Sequence, residues 1–111
     1  MQIKIVSSQP RSTELVISGE IDLAVADELL ETANAALAGS TCDELVLDLS
    51  EVSFIDSTGL GTLVAIRNAT LDQAVTLRLR DATPPVRRLL KITNLDSVFN
   101  MSNSQPETSA T

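Results

Sequence analysis

The stretch Val46-Leu47-Asp48-Leu49-Ser50-Glu51-Val52-Ser53-Phe54-Ile55-Asp56-Ser57-Thr58-Gly59-Leu60-Gly61 passes from a short apolar run into a segment holding two hydroxyls and two glycines. Its first part, Leu45-Val46-Leu47-Asp48-Leu49, is short and nearly all apolar, which is the pattern of a central strand covered on both sides. Its last part opens a helix read from about Thr58 to Leu71, with Leu60, Leu63, Val64 and Leu71 on one stripe and the N-terminus at Ser57. Glycines at positions 59 and 61 lower the steric bulk around Ser57 and admit a close backbone or partner approach, while Leu60 anchors the first turn. Ser57 is therefore expected to be reachable.

Outward from that stretch, toward the N-terminus, Ile3 and Ile5 alternate with polar neighbours and Leu15-Val16-Ile17 follows a polar segment with Pro10, so two strands joined by a turn are expected, the second closed by Gly19. Val25, Leu29, Ala33, Ala36 and Leu37 recur at helical spacing between Ala24 and Ala38, Glu28 and Glu31 face outward, and Asp22 is placed to cap. Toward the C-terminus, Val75, Leu77 and Leu79 alternate with Thr76, Arg78 and Arg80, as in a strand with one buried and one wet face. Pro84-Pro85 favours the first turn of a third helix through Leu89 and Leu90, ended by Asn94 in a left-handed conformation. Arg87, Arg88 and Lys91 read as a solvated helix face and receive no function. The order strand, strand, helix, strand, helix, strand, helix predicts an α/β domain over residues 1–101. Residues 102–111 are too poor in apolar surface to order themselves and are expected to be a disordered polar tail.

Composition removes several function classes. The chain has 111 residues, enough for one domain, and a formal charge of −7 that repels phosphate backbones and anionic membranes, so no nucleic acid and no membrane partner is expected. Neither Trp nor Tyr is present to stack bases. No apolar run approaches the roughly 20 residues that span a bilayer, and Met1-Gln2-Ile3-Lys4-Ile5 lacks the character of a signal peptide, which predicts a cytoplasmic protein. The absence of histidine excludes the Ser-His-Asp and Cys-His nucleophile systems, histidine metal clusters and an imidazole base. The lone Cys42 is read as a bystander. No catalytic residue, metal site or cofactor is expected.

Ser57 alone could be no more than a helix cap, although a capping box would put Glu or Gln where Leu60 stands. Capping and a switch role are compatible. A phosphate on Ser57 would sit at the positive end of a helix, and its charge of about −1.5 to −2 beside Asp56 would oppose any interface built around the neutral serine.

The run from Val46 to Gly61 resembles the signature of STAS domains, specifically the anti-sigma factor antagonists of bacteria. Gly19-Glu20-Ile21-Asp22-Leu23 is similar to that family's other marker, the turn before its first helix. With the element order and the late Leu95-Asp96-Ser97-Val98-Phe99, the resemblance covers residues 2 to about 101. It implies a single STAS-like domain with a mixed four- to five-stranded sheet packed against three to four helices. It further implies partner switching: the unphosphorylated antagonist binds an anti-sigma factor that is a serine kinase and so frees a sigma factor. Phosphorylation of Ser57 releases it, and a metal-dependent serine phosphatase resets it. By the same resemblance Asp22 and Asp56 flank the phosphoacceptor, and Ser57, Thr58, Gly59, Leu60 and Gly61 form the docking face. Thr58 stands where many members have a second serine and is a minor candidate acceptor. Asn94 stands where glycine is common, and the polar tail replaces a further helix that some relatives have. Homodimerisation is left open.

Three other readings compete. Gly59-Leu60-Gly61, with Asp81 about 20 residues on, suggests a dinucleotide fingerprint, but the third small residue is Val64 and the strand read to Leu49 ends well before the first glycine. A STAS scaffold or nucleotide-sensing module in a stress-signalling or lipid-transport complex would differ in binding free ATP or GTP. An enzyme would have only Asp22 and Asp56 as an acid–base pair, with nothing to place a substrate between them.

Overall fold

The computed structural model describes residues 2–9, 11–38 and 43–102. Cys42 and the tail from residue 103 onward lie outside the described residues. The chain forms β1 (Gln2–Gln9), β2 (Ser12–Ile21), α1 (Ala26–Ala38), β3 (Glu44–Ile55), α2 (Ser57–Asp72), β4 (Thr76–Arg80), α3 (Pro84–Ile92) and β5 (Asn100–Ser102). These strands make one five-stranded sheet in the order β1-β2-β3-β4-β5, antiparallel between β1 and β2 and parallel thereafter. The expected α/β architecture of a mixed sheet with helices is the one observed.

Register explains which face is buried. Leu15, Leu47 and Leu79 lie side by side across β2, β3 and β4, with Leu45 and Leu77 beside them. This row, Ile17 and Leu49 form one contiguous core with Leu29, Ala33 and Leu37 of α1, Leu60, Leu63 and Ile66 of α2, and Val86 and Leu90 of α3. Each parallel connection carries its helix, which is how an apolar sheet face acquires a cover. The alternate row points the other way and is charged. It holds Glu14, Val46 and Arg78 in one line and Val16, Asp48 and Arg80 in the next.

That second face is tied by ion pairs. Arg78 Nε donates to Glu44 Oε2 at 2.8 Å, and Arg80 Nη2 donates to Glu14 Oε2 and, at 2.9 Å, to Asp48 Oδ2. Glu14 is only 8% exposed. Burial pushes the Asp48 carboxyl upward, but the Ser50 backbone N–H and the Arg80 guanidinium together outweigh it and hold Asp48 below the usual carboxylate range. The wet face expected for Arg78 and Arg80 is thus a cross-strand salt-bridge lattice. Asp48 bonds nearby backbone, accepting from Ser50 N at 2.9 Å, and also takes a strand-to-strand partner that spacing alone did not reveal.

Several boundaries differ from the sequence reading. β3 continues past Leu49 to Ile55 because it bulges twice against β2. From Val16↔Asp48 to Ser18↔Glu51 it advances three residues to β2's two, and from Gly19↔Val52 to Glu20↔Phe54 it advances two to β2's one. Alternation is lost there, so the strand is invisible to a period-2 reading. Gly19 does not close β2. It lies inside the strand at φ 95°, where the register shifts and a side chain would be strained. Along α2, Ile66 occupies the core position expected of Leu71, which is exposed. Asn94, at φ 62°, ends α3 in the left-handed conformation expected of it.

Candidate functional site at the start of the second helix

β2 and β3 end side by side, with Ile21 paired to Ile55, and the chain turns from Ile55 into α2 through the single residue Asp56. Asp56 has the extended backbone of an N-cap (φ −113°, ψ −174°), and its Oδ1 accepts the Gly59 backbone N–H at 2.8 Å. Its own N–H donates to the Ile21 carbonyl at 3.3 Å, and its carbonyl accepts the Leu60 N–H at 2.9 Å. The cap is therefore Asp56, and Ser57 is the first helical residue. This corrects the reading that put the cap at Ser57; the third residue after the cap is then Gly59 instead of Leu60, and a capping box is absent in either frame.

Moving the cap by one residue changes what Ser57 can do. Of the first-turn donors, Gly59 N–H is taken by the Asp56 side chain and Leu60 N–H by the Asp56 carbonyl. The N–H groups of Ser57 and Thr58 are the two that a helix leaves without an internal acceptor. Ser57 and Thr58 are both exposed, and the Ser57 hydroxyl has no hydrogen bond to any described residue. An accessible hydroxyl beside two outward N–H donors at a helix N-terminus is suited to carry an anionic group. It is not suited to nucleophilic catalysis, because its neighbouring carboxylate is spent on the cap and the chain has no imidazole.

The two glycines have different tasks. Gly59 is buried, and a Cβ there would stand inside contact distance of the Ile21 carbonyl oxygen and 2.8 Å from Ile21 Cγ2. The close approach is to the protein's own β2, so this glycine sets how tightly α2 seats on the sheet. Gly61 is exposed, and a Cβ there would meet nothing within 4 Å. Leu60 is buried as expected. The longer β3 brings the strand end within a few residues of Gly59, which removes one objection to a dinucleotide site; the packing of Gly59 on Ile21 supplies a stronger one, since the backbone there faces a strand and not open space.

Asp22 follows Ile21 directly and so lies at the same end of the sheet. It does not cap α1. Its Oδ1 accepts the Ala24 N–H and its carbonyl the Val25 N–H, both at 3.1 Å, closing a turn ahead of the helix at Ala26. Two apolar side chains in this region were missed: Leu23, 75% exposed in that turn, and Phe54, 47% exposed beside Glu20 on the bulged part of β3. The available signal was compositional, since Phe54 is one of only two aromatic residues in the chain. Among the described residues no group of three or more His, Cys, Asp or Glu is placed to hold a metal ion, and no helix is long and apolar enough to cross a membrane.

A single sheet strung in chain order, with a capped helix start presenting a free serine, defines the class. The chain belongs to the STAS domain family, whose model matches residues 4–107. It is 26% identical over 106 residues to the anti-sigma F factor antagonist of Paenibacillus polymyxa, covering 95% of this chain and 91% of that protein. Among solved structures, an anti-sigma factor antagonist from Mycobacterium paratuberculosis superposes with a TM-score of 0.77 at 29% identity over 98% of this chain and 91% of that one. The Bacillus cell fate determinant SpoIIAA, solved in its phosphorylated form, shares the fold at a TM-score of 0.74 and 16% identity, covering 98% and 96%. Antagonism of an anti-sigma factor, a regulatory task, is the role that the names of the Paenibacillus and Mycobacterium proteins have in common.

Proposed function

We propose that this chain is an anti-sigma factor antagonist whose docking is switched by phosphorylation of Ser57. Unphosphorylated, it binds an anti-sigma factor that is itself a serine kinase and so liberates a sigma factor in the bacterial cytoplasm. The kinase transfers the γ-phosphoryl group of ATP to the Ser57 hydroxyl, ADP departs, and the complex separates; a metal-dependent serine phosphatase restores the neutral form. The observation that carries this reading is the exposed Ser57 hydroxyl at the first position of α2, with Asp56 already committed as cap. A phosphate there can use the Ser57 and Thr58 N–H donors without disturbing the helix, so the charge is presented on an intact fold. Leu23 and Phe54 supply apolar contact area, and Asp22, Asp56, Thr58 and Gly61 complete the proposed docking face; Gly59 and Leu60, expected on it from the sequence, are buried and support it from beneath.

The test is binding of the cognate anti-sigma kinase to wild type, Ser57→Ala, Thr58→Ala and Ser57→Asp, with intact-mass detection of phosphate after incubation with ATP. Wild type and both alanine variants are expected to bind, Ser57→Asp to fail, and Ser57→Ala alone among the binding-competent forms to take up no phosphate. Undiminished binding of Ser57→Asp, or phosphate uptake by Ser57→Ala equal to wild type, would refute the proposal.

A further inference from the structure

The eight basic residues of this acidic chain fall into three sets, of which Lys4 on β1 and Arg67 on α2 stand singly and form no ion pair with any described residue. Arg11, Arg78 and Arg80 each face a carboxylate. Arg87, Arg88 and Lys91 are all on α3, are all exposed, and form no ion pair with any described residue. α3 has no acidic residue of its own and buries Val86 and Leu90. Helical spacing therefore puts Arg87, Arg88, Lys91 and Ile92 together on the side away from the core. Ile92, the last residue of α3 and one turn on from Arg88, borders these cations and is 71% exposed.

A single exposed isoleucine is ordinary, and so is a solvated cation. Three unpaired cations gathered on one helix beside an apolar side chain, on a chain of net charge −7, make a patch opposite in sign to the chain that carries it. Its chemistry selects a protein ligand. Arginine forks donate bidentately to carboxylates, and Ile92 needs an apolar side chain to cover it. A nucleic acid would satisfy the cations but not Ile92, and it would meet repulsion from the rest of the surface.

We propose that the outer face of α3, formed by Arg87, Arg88, Lys91 and Ile92, is a second docking surface that takes an acidic segment of a partner protein, with carboxylates flanking an apolar side chain. This surface works independently of the state of Ser57.

The probe is a synthetic peptide in which pairs of Glu alternate with Leu, titrated into the isotope-labelled full chain and followed by NMR. The expected result is a set of amide shifts confined to α3 and its flanks, with an affinity that weakens as salt rises. The double variant Arg88→Glu, Lys91→Glu should lose affinity by about tenfold or more, and Ile92→Ser should lose it at unchanged charge. Ser57→Asp should bind the peptide as wild type does. Thermal melting confirms that each surface variant is folded, and the milder pair Arg88→Gln, Lys91→Gln serves if charge reversal destabilises the chain. The proposal is overturned by absence of binding up to about 1 mM, by equal binding of a peptide with Gln in place of Glu, by duplex DNA occupying the same amides as tightly, or by affinity unchanged in the charge variants.

Discussion

Replacing Gly59 with alanine tests the seating of α2 on the sheet. The new methyl group would stand within contact distance of the Ile21 carbonyl oxygen and 2.8 Å from Ile21 Cγ2. The oxygen cannot retreat freely, because it accepts the Asp56 N–H and belongs to the last pair of β2 with β3. Alanine is favoured over glycine inside a helix by about 1 kcal/mol, while forcing a methylene-sized group into a packed site costs about 1–3 kcal/mol. With backbone as the obstacle the upper part of that range applies, and the net loss is about 1–2 kcal/mol. For a domain of this size that lowers the melting temperature by about 4–16 °C. Gly61→Ala is the matched control: the same exchange two residues on, with nothing within 4 Å of the new Cβ, should stabilise by about 0.5–1 kcal/mol. Urea unfolding followed by circular dichroism measures both. The reasoning is refuted if the two variants shift stability in the same direction, or if Gly59→Ala lies within error of wild type.

Two further outcomes follow from the geometry. Asp48 is held below the usual carboxylate range in the folded chain, so its contribution is complete at neutral pH and is lost as pH falls from the ordinary carboxylate value down through the lower folded one; Asp48→Asn should flatten that part of the acid-unfolding profile, as measured by melting temperature against pH. Phe54→Ser and Leu23→Ser remove exposed apolar surface, so stability should change by no more than about 0.5 kcal/mol, whereas affinity for the anti-sigma partner, measured calorimetrically, should fall by about tenfold or more.

Legibility followed the kind of signal each residue carries. Leu45, Leu47 and Leu49, Leu77 and Leu79, and Leu29, Ala33 and Leu37 all occupy the core positions that their periodicity assigns, because a period is a property of the chain itself. Glu14, Asp48 and Arg80 are distant in sequence and meet only through parallel register, so their network could not be seen before the strands were aligned. The second half of β3 was hidden by its two bulges, which also hid the exposure of Phe54. At the helix start, Ser57 and Asp56 are both good caps by residue type, and only the backbone angles and the bond to Gly59 show which one has the task. The resemblance to STAS domains pointed to this segment; which of its residues caps the helix is a matter of single hydrogen bonds.

The strands lie across the sheet in the order in which they are synthesised. No strand has to be threaded between two that are already joined, so the β-layer can lengthen from one side as the chain leaves the ribosome. The growing margin at any moment is the newest strand, and the βα units already made remain undisturbed. Among the described residues the last strand to join is β5, whose outer rim is the short segment Asn100–Ser102. So brief an edge strand leaves little template for a foreign strand to pair with.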